Sequence, residues 1–148
     1  MYNFRTDLAL ERREILKKTS NLEEIDGIET STKEIDENLK VSEVKIVNEN
    51  GEKAIKKPIG TYVTIDIKKL KLAEEDEIQK SAEVLSEELK KIINQHINIK
   101  DDILVVGLGN IYVTPDSLGP KVINDIDVTR HIIKYLPQYI DENSRPVS

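Results

Sequence analysis

The sequence predicts an α/β fold, because strand-like and helix-like patterns occupy separate stretches of the chain. Residues 26–67 contain runs in which apolar and polar side chains alternate, as in a largely antiparallel β-meander. Residues 74–97 repeat apolar side chains every three or four positions, which is the spacing of an amphipathic helix. Residues 103–106 form a short apolar run ended by glycine, which is typical of a buried parallel strand. Since a doubly wound sheet needs several such strands, we expect the α/β sheet to be incomplete.

The first helix is predicted to follow Asp7, a residue type that favours the N-cap position. Its apolar side chains are Leu10, Ile15 and Leu16. Two lysines at positions 17 and 18 suit the negative end of the helix dipole.

Three strands are predicted within the meander, in residues 28–32, 41–47 and 61–67. The dipeptide Asn50-Gly51 predicts a tight turn between the second and third of them. The lysines of this stretch are then expected in a solvated connecting loop; they are Lys53, Lys56 and Lys57.

The helix over residues 74–97 carries acidic residues in its first turn and Lys90 and Lys91 in its last, as the helix dipole favours. Its apolar stripe consists of Ile78, Ala82, Leu85, Leu89, Ile92 and Ile93. We expect His96 to be a surface or capping histidine.

The candidate site lies in residues 103–120, where the predicted strand runs into a loop. Open α/β sheets place ligands and chemistry beyond the carboxyl ends of their strands. That loop contains one acid, Asp116, between Pro115 and the Gly119-Pro120 pair. A carboxylate can act as a general base on water when its pKa is tuned by burial or by a second acid that shares the proton. A turn-forming or helix-capping aspartate is the competing interpretation, and the pattern alone leaves both open.

Two short helices are predicted after the loop. The first covers residues 121–126, because proline at position 120 is well tolerated at the first helical position. The second covers residues 129–136 and ends before Pro137.

Composition narrows the class of protein. A chain of 148 residues with 38% hydrophobic side chains is expected to form one domain with its own core. Its net charge of −6 argues against direct nucleic-acid binding. Cysteine is absent, which excludes disulfides and cysteine nucleophiles, and no apolar run approaches the ~20 residues of a membrane span. A cytoplasmic location, without a membrane partner, is the default expectation.

Common catalytic and nucleotide-binding motifs are missing. Position 112, where a dinucleotide fingerprint starting at Gly107 needs its third glycine, is tyrosine. Neither a P-loop nor a G-x-S-x-G elbow occurs, and the two histidines lack zinc-ligand spacing. We therefore expect no cofactor and assign no metal ligand, while binding of a divalent cation near Asp116 stays open. Binding of an anion by the loop at residues 107–110 stays open as an alternative.

Several motifs, in order along the chain, resemble one known family. They are Arg5-Thr-Asp-Leu-Ala9, Gly107-Leu-Gly-Asn110, Val113-Thr-Pro-Asp-Ser-Leu-Gly-Pro120, Thr129-Arg-His131 and Arg145-Pro-Val-Ser148. Together they resemble the germination protease of spore-forming bacteria, with residues 20–100 matching mainly by pattern. The resemblance implies an atypical aspartic endopeptidase that begins the degradation of small acid-soluble spore proteins in the spore core. It also implies a three-layer fold similar to hydrogenase maturation proteases, classed as phosphorylase/hydrolase-like.

The resemblance also implies roles for particular residues. Asp116 matches the first catalytic aspartate, supported by the loop residues Gly107, Gly109, Asn110 and Pro115. Family members are made as zymogens, and the bond between Asp7 and Leu8 falls where the propeptide is removed. Residues 1–7 are then the propeptide, and residues 8–148 the N-terminal part of a single peptidase domain.

One departure from the family pattern concerns the second catalytic aspartate, which nothing in residues 117–148 matches. The resemblance therefore implies an N-terminal fragment that does not hydrolyse peptide bonds alone. Full-length family members form tetramers, so a homo-oligomer is expected for the whole protein. The alternative is a non-catalytic α/β fragment that serves as an oligomerisation or ligand-binding module.

Overall fold

The computed structural model describes residues 8–20, 25–68, 70–141 and 143–148. Two compact units divide the chain, with the boundary between Leu89 and Lys90. Helices are α1 (Ala9–Ser20), α2 (Glu49–Ile55), α3 (Glu75–His96), α4 (Leu118–Asn124) and α5 (Arg130–Tyr135), and strands are β1 (Ile28–Glu34), β2 (Leu39–Ile46) and β3 (Gly60–Ile67). Short 3₁₀ turns occupy Leu70–Leu72, Thr114–Asp116 and Pro137–Tyr139.

The first unit is built on a three-stranded antiparallel sheet in the order β1-β2-β3. Val44 in the central strand lies opposite Thr30 of β1 and Tyr62 of β3. This confirms the meander predicted for residues 26–67, and with it the α/β class.

The core of the first unit lies between one face of the sheet and the two helices α1 and α2. Side chains alternate between the faces of a strand, so Val44 and Ile46 of β2 point to the same side. Both are 1% exposed and cluster with Ala9 of α1 and Ile55 of α2, which is also 1% exposed. Partly buried side chains complete the cluster: Leu10, Leu16, Ile28 and Tyr62. The sequence pattern predicted Leu10 and Leu16, but not Ala9.

An arginine joins α1 to the end of α2. The Nη1 of Arg12 donates hydrogen bonds to the carbonyl oxygens of Ile55 and Lys56, each at 2.9 Å. The last carbonyls of a helix have no intrahelical partner, so a cation there satisfies them and complements the helix dipole.

The stretch after β2 corrects one prediction. Asn50 and Gly51 do not form a tight turn but lie in the first turn of α2. The Asn48 side chain caps this helix, accepting a hydrogen bond from the Gly51 N–H at 3.0 Å. A Cβ on Gly51 would lie 2.3 Å from the Gly27 carbonyl oxygen, so glycine is needed for close backbone packing there.

Two of the three lysines of this stretch are also placed differently from the prediction. Lys53 belongs to α2, and Lys56 is its C-cap in the left-handed conformation, with φ of 57°. Lys57 lies in the connection to β3, as predicted, with its Nζ 5.6 Å from the centroid of the Tyr62 ring.

We expect Asn48→Ala to lower the free energy of unfolding by about 1 kcal/mol, because the Gly51 N–H loses its side-chain acceptor. Chemical denaturation followed by circular dichroism measures the change. Asn48→Asp, which keeps an acceptor oxygen, is the matched control and should lose much less. Equal losses in the two variants would contradict the capping role.

The hairpin between β1 and β2 binds the first turns of α3. Asp36 forms a short ion pair with Lys80, and its other oxygen accepts the backbone N–H groups of Asn38 and Leu39 at 2.8 and 2.9 Å. Asn38 also donates to the Glu77 carboxylate at 3.2 Å. The hydrogen bond from Lys80, followed by the one from the Asn38 backbone, holds the pKa of Asp36 below its ordinary value.

Folding lowers the pKa of this carboxyl from its unfolded value of about 3.9. The ionised carboxylate therefore stabilises the folded state fully at pH values above the unfolded pKa. This stabilisation is lost as the pH falls through the folded pKa. Lys80→Met removes the main cause, so the pKa of Asp36 should rise toward its ordinary value. An NMR titration of the Asp36 carboxyl below about pH 5 measures this. Lys33→Met, which removes a lysine on the neighbouring strand, should leave the titration unchanged. An unchanged titration in Lys80→Met would contradict the assignment.

The prediction for the long helix is confirmed within one residue at each end, since α3 covers Glu75–His96. Its apolar stripe is only half covered, with Ile78, Leu85 and Leu89 each about half exposed. His96 is an exposed residue of the last turn, as expected. Helix α1 also forms where predicted, but its expected N-cap Asp7 lies outside the described residues.

In the second unit, residues 103–106 differ from the buried strand that we expected. The segment is extended and pairs in parallel with the last residues of the chain, through a bridge between Ile103 and Val147. Leu104 and Val106, however, are 74% and 64% exposed. Parallel strands are buried when neighbouring strands and helices cover both faces. Within the described residues this segment has one strand neighbour, which explains the exposure.

Residues 145–148 are held in position by hydrogen bonds to the end of α3, the segment after it and the start of α5. Arg145 donates to the Asn98 carbonyl and to the Asn94 side chain, each at 2.7 Å. The Val147 carbonyl accepts from the backbone N–H groups of Thr129 and Arg130, each at 3.1 Å. These bonds hold the C-terminal segment between the start of α5 and residues 103–105.

The two short helices form close to their predicted positions. Helix α5 begins after Thr129 and ends before Pro137, as predicted. Helix α4 begins at Leu118, so Pro120 is its third residue and not its first. The missing N–H of proline costs nothing there, because the first N–H groups of a helix have no intrahelical acceptor. Among the described helices, none has the combination of length and apolar character that crossing a bilayer demands.

Candidate active site

Asp116 ends the 3₁₀ turn Thr114–Asp116, whose second residue is Pro115. The backbone N–H of Asp116 donates to the Val113 carbonyl at 2.8 Å, and its carbonyl accepts the Asn110 N–H at 2.9 Å. Proline restricts the backbone of Pro115 and of the residue before it. The backbone of Asp116 is therefore fixed through both its N–H and its carbonyl group, and these bonds do not use its carboxylate.

Glycines allow the loop at residues 107–109 to lie directly against this turn and the start of α4. Gly109 has φ of +139°, and a Cβ there would lie 2.0 Å from the carbonyl oxygen of Asp116. A Cβ on Gly107 would lie 2.3 Å from the Gly119 carbonyl oxygen, and one on Gly119 would lie 2.2 Å from the Leu108 carbonyl oxygen. The glycines at these positions are explained by backbone-to-backbone contact, which any side chain would prevent.

Asn110 connects the glycine loop to the Asp116 turn. Besides its N–H bond to Asp116, its carbonyl accepts the Val113 N–H at 3.0 Å. Its side-chain Oδ1 accepts the Tyr112 N–H at 3.0 Å, which is a typical Asx turn. The structure thus brings together the five site-loop residues singled out from the sequence: Gly107, Gly109, Asn110, Pro115 and Asp116.

Ser117 is a supporting residue that the sequence interpretation missed. It is 3% exposed, and its Oγ donates to the Thr114 carbonyl at 3.0 Å. Serine immediately before a helix is a known capping signal, which could have drawn attention to it. Here, however, the hydroxyl stabilises the preceding turn, and no side-chain cap hydrogen bond to α4 forms.

The surroundings of the Asp116 side chain are open to solvent. Asp116 itself is exposed, and its neighbours Tyr112 and Leu118 are 94% and 75% exposed. Over the described part of the chain, no group of three or more acidic or histidine side chains is placed to hold a metal ion. The arrangement can present one carboxylate, on a restricted backbone, to water.

Two other predicted features lie elsewhere. Leu8, on one side of the expected propeptide cleavage, is 45% exposed and immediately precedes α1, whereas Asp7 lies outside the described residues. Arg130 of the Thr129-Arg-His131 motif pairs with Asp102 at 3.1 Å. Arg130 and His131 are the exposed first two residues of the short helix α5.

We expect Gly109→Ala to destabilise the site loop, because the new Cβ overlaps the Asp116 carbonyl and disfavours the positive φ. The cost is about 1–3 kcal/mol, measured as faster amide exchange at Asn110, whose N–H binds that carbonyl. Gly60→Ala is the matched control: Gly60 also has a positive φ, +157°, but nothing lies within 4 Å of its Cβ position. A smaller cost for Gly109→Ala than for Gly60→Ala would contradict the packing described here.

Comparisons with known proteins agree on one family. The family model for germination protease matches residues 5–148. The chain is 47% identical over 147 residues to a germination protease of Clostridium perfringens strain 13, covering 99% of this chain and 44% of the relative. For relatives of the same name, identity is 46% in Clostridium acetobutylicum and 39% in Priestia megaterium.

These relatives are longer than the chain described here. The alignments cover 99% of this chain but only 45% and 40% of the Clostridium acetobutylicum and Priestia megaterium proteins. The chain therefore spans less than half the length of the curated relatives it matches. Because the family model covers nearly the whole chain, this protein belongs to the germination protease family.

Proposed function

We propose that this chain forms part of a spore-germination endopeptidase in which Asp116 is one of two catalytic carboxylates. The observation that carries the proposal is the backbone-anchored, solvent-open position of Asp116 in a chain that matches the germination protease family. The proposed substrates are small acid-soluble spore proteins in the spore core. The proposed fold of the whole protein is the three-layer, hydrogenase-maturation-protease-like architecture.

The proposed chemistry is hydrolysis by an activated water molecule. One carboxylate takes a proton from water as the water oxygen attacks the scissile carbonyl, and the other carboxyl donates a hydrogen bond to the developing oxyanion. The tetrahedral intermediate then collapses to a new carboxyl group as the C–N bond breaks, and the first carboxyl returns its proton to the leaving amine. The proton of a two-acid centre is shared, because two adjacent carboxylates do not both ionise readily. Asp116 supplies one of these acids. We propose that the other comes from the part of the family's length that this chain does not match.

Zymogen processing is proposed at the bond between Asp7 and Leu8, which would release residues 1–7. The exposed Leu8 side chain immediately before α1 supports this position. The carbonyl of Leu8 already accepts the Arg12 N–H at 3.2 Å, so α1 would begin at the new N-terminus with little rearrangement. A tetramer of the full-length protein stays a prediction.

A chimera tests the peptidase function. This chain replaces the segment that it matches in the Clostridium perfringens relative, and the product is incubated with a small acid-soluble spore protein. Mass spectrometry of the products is expected to show cleavage by the chimera and none by the 148-residue chain alone. A folded chimera that leaves the substrate intact, while the relative itself cleaves it, would contradict the proposal. Cleavage by the chain alone would contradict the need for a second acid.

A further inference from the structure

The hydroxyl of Thr129 bonds to residues 145–148, the C-terminal segment, and not to its own helix. Thr129 occupies the N-cap position of α5, where threonine normally accepts a backbone N–H of the first turn. No such side-chain cap hydrogen bond forms. Instead, its Oγ1 donates to the Arg145 carbonyl and accepts the Val147 N–H, the latter at 3.0 Å. One hydroxyl therefore satisfies two backbone groups of the C-terminal segment.

The backbone of Thr129 completes this contact. Its N–H donates to the Val147 carbonyl at 3.1 Å. The N–H and the carbonyl of one residue in an extended segment point to the same edge. Thr129 therefore binds both backbone groups of Val147 along one edge of the C-terminal segment. It takes the place of a neighbouring strand, with its hydroxyl oxygen in the role of a strand carbonyl.

The opposite edge of the C-terminal segment holds residues 103–105. The Ile103 N–H donates to the Pro146 carbonyl at 2.8 Å, and the Ile103 carbonyl accepts the Ser148 N–H at 2.8 Å. The Val105 N–H donates to the Ser148 carbonyl at 2.9 Å. A slip of one residue in such a pairing turns every side chain to the other face. The register of residues 103–105 therefore depends on the position of the C-terminal segment.

Residues 103–105 lead directly into the loop that contacts Asp116. A Cβ on Gly109 would lie 2.0 Å from the Asp116 carbonyl oxygen, so the two backbones are in direct contact. The Asn110 N–H donates to the same oxygen at 2.9 Å. Close-packed groups transmit a displacement instead of absorbing it. A shift of residues 103–105 should therefore move the backbone of Asp116.

We propose that Thr129 is a positioning residue for Asp116, acting through the C-terminal segment and residues 103–105. The inference rests on the proposed function in one respect, since it takes Asp116 to be a catalytic acid. A displacement of about 1 Å at a reacting group costs about a hundredfold in rate. The hydroxyl of Thr129 therefore matters for catalysis although it takes no part in proton transfer.

Amide hydrogen exchange in the 148-residue chain tests the positioning role without catalysis. Thr129→Val keeps the shape of the side chain and removes the hydroxyl, so exchange at Val105 and Asn110 should become at least about tenfold faster. Thr129→Ser keeps the hydroxyl and should show the exchange rates of the parent chain. Thr30→Val, the same replacement at an exposed position of β1, is the matched control and should change neither amide.

Exchange at Ile133 separates this role from a local one. Its N–H donates to the Thr129 carbonyl at 2.9 Å, a bond that does not use the hydroxyl, so its exchange should stay as in the parent chain. Unchanged exchange at Val105 and Asn110 in Thr129→Val would overturn the proposal. Exchange that becomes faster in α5 alone, or equally faster at all three amides, would also overturn it, because Thr129 would then stabilise only its helix or the whole unit.

Kinetics of the chimera test the consequence for catalysis. Thr129→Val should lower kcat by about tenfold to a hundredfold and leave KM unchanged, because the substrate still binds beside a displaced Asp116. Thr129→Ser should keep the kcat of the parent chimera. A loss of the same size in both variants, or a raised KM with kcat unchanged, would refute the positioning role. An inactive parent chimera contradicts the proposed function instead, and the exchange rates at Val105 and Asn110 then decide the positioning role alone.

Discussion

Replacing Asp116 with asparagine in the chimera is expected to reduce hydrolysis of the spore-protein substrate by about 10³-fold. Asparagine has nearly the same shape but cannot take a proton from water. Within the described residues, this residue is held by hydrogen bonds of its backbone, namely from its N–H to Val113 and from the Asn110 N–H to its carbonyl. The substitution therefore removes the base and leaves the loop in place. Initial rates with purified variants measure the effect.

The control for Asp116→Asn is Asp66→Asn, which removes one exposed carboxylate from β3 in the other unit. We expect that chimera to keep its full rate. Retained activity in Asp116→Asn, with unfolding behaviour matching the parent chimera, would show that Asp116 is a turn residue and not a catalytic acid.

Ile46→Ala is expected to lower the unfolding free energy of the first unit by about 3 kcal/mol. The side chain is 1% exposed and packs with Ala9, Val44 and Ile55. Removing most of it leaves a cavity between the sheet and both helices, and close-packed interiors refill such cavities only partly. Urea denaturation followed by far-ultraviolet circular dichroism measures the loss.

Ile46→Val provides a graded comparison, with an expected loss of about 1 kcal/mol. Val47→Ala serves as the surface control, because Val47 is 40% exposed, and it should change stability little. An Ile46→Ala loss no larger than that of Val47→Ala would contradict the position of the core.

Local sequence patterns were sufficient to predict the three-stranded meander and the long helix α3. Alternation identified the meander, and the three- and four-residue spacing identified α3, because each pattern reflects which side chains face the interior. Helix α2 was missed for a tertiary reason. Asn50-Gly51 is a strong turn signal over short range, but the Asn48 cap and the contact between Gly51 and Gly27 make a helix fit better.

The burial of residues 103–106 was overestimated. A run of four apolar residues shows that these side chains suit a buried strand, but it does not show which other elements cover them. The run is extended and its pairing with Val147 is parallel, as the pattern indicated. The cover over Leu104 and Val106 depends on partners that no local pattern specifies.

In the candidate site too, local patterns predicted some features and not those that depend on tertiary contacts. Glycine and proline spacing identified the loop that holds Asp116, because close approach and backbone restriction are properties of those residue types. The hydroxyl of Ser117, which stabilises the turn from a buried position, was not identified. We propose that the second acid belongs to the part of the family's length that this chain does not match, so the spacing around Asp116 cannot identify it.

We propose Asp116 as half of a two-carboxylate peptidase centre. A crystal structure of the active chimera tests it most directly, through the position of the acid nearest to Asp116. We predict a second aspartate or glutamate whose carboxyl oxygen lies about 3 Å from that of Asp116 or shares one bridging water with it. An Asp116 carboxylate with no second acid within reach of one water molecule would contradict the claim.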